Sequence, residues 1–249
     1  MNLSFQSNKL ISLSGDYNGM NMSAANITAI GSLDGAGQNG GDNNVVYQIV
    51  GQPLGVFYLP HCKGLVKNEN GSYSYDIEDL DHNGNVDLSD GGDRYIAGQA
   101  TPKVILGSNI SFRYKNYYIS IQMNGAFGHK IFNGTGLAYT SMACFPDYNV
   151  FKDAPKKNII DQRVSDYWLE KGDYLNFEHL TIGYNVPLRS KLIRSLRVSC
   201  NISNIGTITG YKGLTPMINS YVVNSTMGID DKRNYPLYRT YSLGLSVQF

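Results

Sequence analysis

The side chains best placed to do chemistry lie between positions 79 and 90, in the run Asp79-Leu80-Asp81-His82-Asn83-Gly84-Asn85-Val86-Asp87-Leu88-Ser89-Asp90. Oxygen-bearing residues fall at positions 1, 3, 5, 9 and 12 of this run, glycine at 6 and an aliphatic residue at 8, which is the spacing of an EF-hand-type calcium loop. Calcium needs six to eight hard oxygens, and this spacing converges them. The expected ligands are Asp79, Asp81, Asn83, Asn85, Asp87 and Asp90, with calcium as a structural ion. Position 12 is an aspartate rather than a bidentate glutamate, which weakens or reshapes such a site. The flanks do not read as helices, so the expectation is a loop and not a full hand. An Asx-rich turn without metal would use the same residue types.

Other reactive groups are scattered. The carboxylate pairs Asp161/Asp166 and Glu170/Asp173 have the composition of glycosidase pairs, but nothing in the sequence sets either pair face to face. His61, His82, His129 and His179 have no ligand spacing, and no G-x-S-x-G, Walker or zinc motif occurs. The chain is therefore not expected to be an enzyme. Cys62, Cys144 and Cys200 are odd in number, so they cannot all pair within the chain; a Cys62–Cys144 bridge and small buried residues both remain open. Tyrosine is abundant, at 19 residues against one tryptophan. Tyr139, Tyr148, Tyr211 and Tyr221 fall in long connections, where they could stack on a substrate or pack the loops.

The elements that must position these groups read as strands. Charged residues are 16% of the 249, against roughly 25% in ordinary soluble proteins. Net charge is +1, which excludes a strongly basic nucleic-acid surface or an acidic tail. No run of 18 apolar residues exists, so no transmembrane helix is expected; a membrane barrel is untouched by that test, because its strands hide their apolar face by alternation. Tyr241, Leu243, Leu245, Val247 and Phe249 alternate with Ser242, Gly244, Ser246 and Gln248. Similar runs cover residues 105–115, 117–130, 174–186 and 196–208, with a weaker one at 3–13. The connections alternate between short and long, as in outer-membrane barrels with short periplasmic turns. The predicted fold is all-β: the C-terminal segment of a large antiparallel transmembrane β-barrel. Residues 14–100 form a long extracellular excursion carrying the acidic loop, and residues 101–249 the terminal barrel strands. Six strands put the C-terminus on the periplasmic side but are too few to close a transporter barrel, for which about 22 are used.

Several segments, in order, carry motifs of one protein family. Val50-Gly51-Gln52-Pro53-Leu54-Gly55-Val56-Phe57-Tyr58 is similar to a G-x-P-L-G-x-F-Y segment, and residues 79–98 to an acidic D-x-N-G segment followed by D-R and glycine. Gly172-Asp173-Tyr174-Leu175 through Leu180-Thr181-Ile182-Gly183-Tyr184-Asn185-Val186-Pro187 resembles G-S-Y-L-R-L-x-x-L-T-L-G-Y-x-L-P. Residues 204–216, with Tyr211-Lys212-Gly213-Leu214, resemble N-L-x-T-x-T-x-Y-x-G-x-D-P, although Thr215 stands where Asp is usual and Met217 where Glu is common. Ser242, Gly244, Val247 and Phe249 fit the signal read by the barrel-assembly machinery, in which an extended strand is selected by alternate side chains.

Together these segments resemble the C-terminal part of SusC/RagA-type TonB-dependent transporters of Bacteroidetes, which implies uptake of oligosaccharide or peptide across the bacterial outer membrane, energised by the TonB complex, with a SusD-like lipoprotein over the extracellular mouth. The first residues, Met1-Asn2-Leu3-Ser4-Phe5-Gln6, have no signal-peptide character, so a signal peptide and plug domain are expected upstream, and this portion alone is not expected to transport. A calcium-stabilised carbohydrate-binding β module is the alternative reading.

Overall fold

The computed structural model describes residues 1–33, 43–189, 192–218, 227–232 and 234–249. Strands Asn2–Phe5, Val104–Tyr114, Tyr117–Phe127, Tyr174–Val186, Ser195–Thr209 and Thr240–Gln248 form one open antiparallel sheet of six strands, in that order. Neighbours in sequence are neighbours in space, which makes the sheet a meander. The long strands run from 9 to 15 residues. Pro187, which has no N–H to give to a ladder, follows the Tyr174–Val186 strand.

The register sorts most side chains by polarity onto two faces. One row across five strands reads Phe112, Ile119, Ile182, Cys200, Leu243; the adjacent row reads Ser111, Ser120, Thr181, Asn201, Ser242. Because successive side chains point to opposite faces, the first row belongs to an apolar face and the second to a polar one. No Asp, Glu, Lys or Arg lies on the apolar face among the described strand residues. Glu178 would break this pattern, but the ladder shifts between Phe177 and His179, and its carboxylate turns to the polar face. There it accepts from Gln122 Nε2 at 3.2 Å and Asn124 Nδ2 at 3.0 Å.

The sequence-read strand at 3–13 is shorter than expected and ends at Phe5. Gln6 N still donates to Lys103 O at 2.8 Å, but Leu10 then exchanges backbone bonds with residues 51 and 52, at 2.8 Å each, and Asn8 Oδ1 accepts from Leu54 N at 2.7 Å. The segment is thus drawn away from the sheet.

The three long connections leave the same end of the sheet and fold together into a head. A four-stranded meander holds Ile27–Ser32, Asn44–Ile49, Val56–Leu59 and Tyr95–Gln99. A three-stranded sheet joins Leu169–Lys171, Lys130–Asn133 and Ile229–Asp230, tying the second long connection to the third. Helix Gly134–Thr140 starts where the Asn133 side chain accepts from Gly136 N at 2.6 Å, an N-cap that satisfies one of the donors a helix start leaves open. One core unites Val45, Val46, Phe57, Leu59, Phe132, Leu137, Ile159, Trp168 and Ile229. Cys62, Cys144 and Cys200 are all free thiols, so the Cys62–Cys144 bridge is not formed.

Candidate functional site

Two surfaces combine chemistry with a fixed scaffold: the amphipathic sheet and the head above it. The sheet's apolar face is largely uncovered, with Leu243 85%, Leu245 70% and Phe112 63% exposed. Burying such a side chain is worth about 1.5–3 kcal/mol, so a face of this kind is stable only against an apolar neighbour. Its ends are aromatic. Tyr114, Tyr117 and Tyr184 form a row beside the short turn, with the Tyr117 and Tyr184 rings 4.6 Å apart, and Phe5, Val104 and Phe127 form the row at the head end. Val104–Tyr114 spans both rows in 11 residues. That is about 34 Å along the strand; at the ~40–45° tilt of strands in membrane barrels it would rise about 25 Å, the height of the apolar band between the aromatic girdles of such barrels.

The opposite face is a hydrogen-bonded polar surface. Ser111 and Ser120 hydroxyls lie 3.0 Å apart, Thr181 donates to Asn201 at 2.9 Å, Thr207 to Asn176 at 2.9 Å, and Arg197 Nε to Asn185 at 2.9 Å. At its head end, Ile105, Ala126 and Tyr174 meet Pro216, Met217 and Met227 around a cavity of about 540 Å³. A second cavity of about 390 Å³ lies beside it, and His129 lines both.

The acidic loop follows the hairpin strand Tyr73–Ile77. Asp79 accepts from Gly84 N at 2.8 Å and Asn83 N at 3.3 Å, Asp81 from Asn83 N at 3.1 Å, and Asn83 Oδ1 from Asn85 N at 2.8 Å. Gly84 has φ +86°, a left-handed turn that glycine makes without strain. Asp87 accepts from the Ser89 amide and hydroxyl, both at 2.9 Å. The Gly84 amide holds Asp79 below the usual carboxylate range, and the Ser89 amide does the same for Asp87, so both stay ionised.

Asp79 and Asp81 come together with a residue outside the sequence-read set: oxygens of Asp79, Asp81 and Asp93 lie within 4.8 Å of one another. Asp93 is buried and accepts from Leu80 N at 2.6 Å and Asp87 N at 2.8 Å, tying both halves of the loop. Asp90 instead accepts from the Tyr47 hydroxyl, beside buried Arg94, whose Nε donates to Leu88 O at 2.8 Å. The missed Asp93 was within reach of a sequence reading, since it sits three positions past the end of the twelve-residue window.

The three described tyrosines of the sequence-read set have different surroundings. Tyr211 is buried, donating to Asp230 Oδ2 at 2.7 Å, with burial pushing its hydroxyl pKa up. Tyr139 packs edge-on against Phe151 with centroids 6.1 Å apart, and Tyr148 is exposed. Tyr221 lies outside the described residues. Each sequence-read carboxylate pair is spent on structure. Asp161 accepts from Arg163 at 2.6 Å, Asp166 from Tyr95 at 2.6 Å and against His61 at 2.6 Å, Glu170 from Lys212 N at 2.8 Å, and Asp173 from Gly128 N at 2.6 Å.

No family model matches the chain. TonB-dependent receptor P3 of Formosa agariphila is 27% identical over 228 residues, covering 80% of this chain and 22% of that protein. TonB-dependent receptor SusC of Bacteroides thetaiotaomicron is 26% identical over 224 residues, covering 84% and 21%. This chain is similar to the SusC-type TonB-dependent receptors. It spans about a fifth of the length of these curated relatives. The solved structure of the RagAB peptide transporter superposes with a TM-score of 0.65 at 17% identity, covering 90% of this chain and 24% of that one. The RagAB peptide importer in its closed-closed state gives 0.60 at 16%, covering 82% and 24%. The fold of sheet and head is therefore one found within that SusC-type architecture, and the relatives are receptors and transporters rather than enzymes.

Proposed function

We propose that this chain forms the C-terminal strands and part of the extracellular head of a TonB-dependent outer-membrane transporter that imports oligosaccharide or peptide. The observation that carries this reading is the sheet itself: one uncharged apolar face about as tall as an outer-membrane hydrocarbon band, backed by a polar, hydrogen-bonded face. The apolar face meets lipid, the polar face lines the lumen, and the head stands over the extracellular mouth beneath a SusD-like lipoprotein. The relatives' energisation through TonB comes from parts of the protein beyond this chain. Both outer edges of the sheet need strand partners, because lipid cannot satisfy open backbone groups. Ser242, Gly244, Val247 and Phe249 serve as the signal to the barrel-assembly machinery.

The acidic loop holds calcium in this reading. Asp79, Asp81 and Asp93 supply grouped oxygens, with Asn83, Asn85 and Asp87 beside them, and the ion would stiffen the loop. Titration of the intact transporter with calcium should show a site that weakens in Asp79→Ala; equal binding by parent and variant removes the ion from the account.

The decisive experiment is fractionation. In outer-membrane preparations, the polypeptide carrying this sequence should run much larger than 27.5 kDa, shift on boiling and co-purify with a lipoprotein. A water-soluble species near 27.5 kDa with calcium-dependent melting would instead establish the carbohydrate-binding β module.

A further inference from the structure

Three lysines meet in the cavity of about 390 Å³ at the junction of sheet and head: Lys103, Lys130 and Lys171. Lys130 and Lys171 are directly paired across antiparallel strands Lys130–Asn133 and Leu169–Lys171. Like charges directly opposite each other destabilise a sheet, so folding alone does not favour this pairing. Among the described residues, no carboxylate lies within ion-pair distance of any of the three. Asp173 lines the same cavity, but its carboxylate accepts from Gly128 N at 2.6 Å. Lys130 Nζ donates to Ala97 O at 2.6 Å, which fixes the ammonium and leaves two of its three donors.

Two glycines make room for the lysine stems. A Cβ on Gly98 would stand 2.8 Å from Lys130 Cδ, and one on Gly128 would stand 3.0 Å from Lys103 Cβ. Both glycines have positive φ, at +151° and +79°. The two glycines thus leave space for the Lys130 and Lys103 stems along the cavity wall. His129 lies between this cavity and the larger one beside Met217 and Met227; burial lowers its pKa, so it adds little positive charge at neutral pH.

We infer that Lys103, Lys130 and Lys171 form an anion subsite that takes a carboxylate of the cargo. This deepens the transport reading and rests on it, because it places an acidic group of the cargo at the junction of sheet and head. The carboxylate could belong to a uronic acid or to an acidic peptide, and the shared chemistry is a planar anion accepting charge-assisted hydrogen bonds.

The test uses the full transporter with its lipoprotein. Four probes are titrated: tri-galacturonate and N-acetylated, C-amidated tri-glutamate, and their uncharged counterparts tri-galactose and N-acetylated, C-amidated tri-glutamine. Proteins compared are the parent, Lys103→Gln/Lys171→Gln and Lys103→Arg/Lys171→Arg; both lysines are exposed, and unchanged mobility shift on boiling checks assembly. One acidic probe should bind the parent at least about tenfold tighter than its neutral counterpart, and that preference should vanish in the glutamine variant and persist in the arginine variant. Which acidic probe binds tells glycan from peptide. Equal affinity for acidic and neutral probes, no binding of either acidic probe, or an unchanged preference in the glutamine variant would overturn the inference. TonB-dependent uptake of a neutral probe that survives the substitutions would leave the transport reading standing whatever the subsite shows, whereas no TonB-dependent uptake of any nutrient would remove that reading itself.

Discussion

In the head, Val45, Val46, Phe57, Leu59 and Phe132 are wholly enclosed, while in the sheet Phe112, Leu243 and Leu245, of the same chemical kind, stand mostly uncovered. The head closes its apolar side chains against one another, as any water-exposed domain must. The sheet instead lays them out in rows on one face and puts hydroxyls and amides on the other. In the proposed reading one chain solves for two solvents, and the change falls at the strand ends near Phe5, Phe127 and Thr209. The hydrophobic effect drives the first region; in the second, hydrocarbon would replace water on one side, and pairing of every backbone group would become the stronger constraint.

The largest effects belong to the enclosed core. Phe57→Ala should cost about 3–5 kcal/mol through the cavity it leaves, seen as lower thermal stability and faster proteolysis of the head with the membrane strands intact. Loss of the boiling-dependent mobility shift in this variant would mean that head and sheet are one cooperative unit and not two regimes. Next comes the uncovered face. Ile110→Arg, midway along Val104–Tyr114 at a position 55% exposed, would be nearly neutral in water, but should cost about 2–4 kcal/mol at the middle of a bilayer, read as reduced assembly into outer membranes.

Asp161 sharpens the contrast from the polar side. Burial alone would raise its pKa, but the Arg163 guanidinium and the backbone amides of Arg163 and Tyr75 overcome this and hold it below the usual carboxylate value. The stability it adds is complete above the unfolded value of about 3.9 and is lost as pH falls through the lowered folded value. Asp161→Asn should cost the head about 2 kcal/mol at neutral pH and flatten that acid limb in pH-dependent melting. The smallest effect is expected on the polar face: Thr181→Ala should change assembly by no more than about 0.5 kcal/mol despite its bond to Asn201.

The sheet was legible because its signal is periodic. The runs read at 105–115 and 196–208 became Val104–Tyr114 and Ser195–Thr209, and alternation alone fixed which residues share a face. Segment 3–13 shrank because a bond between Leu10 and Gln52 lies outside any local pattern. The head was opaque for the same reason: Phe57, Trp168 and Ile229 share one core across long separations, with no period to announce it. The acidic loop was found by its spacing, but Asp93 fell beyond the window and Asp90 was drawn off to Tyr47. The lysine cavity left no trace in the sequence, because Lys130 faces Lys171 only through the strand register.

The central claim is that the two faces of the sheet meet different solvents, and the strand Thr240–Gln248 tests it most directly. Single spin labels placed in turn along 241–248, in the transporter reconstituted into bilayers, report collision with oxygen in lipid or with a water-soluble nickel chelate. A period of two is expected, with labels at Tyr241, Leu243, Leu245 and Val247 favouring oxygen and those at Ser242, Gly244, Ser246 and Gln248 favouring nickel. Uniform access of the nickel chelate to both sets would contradict it.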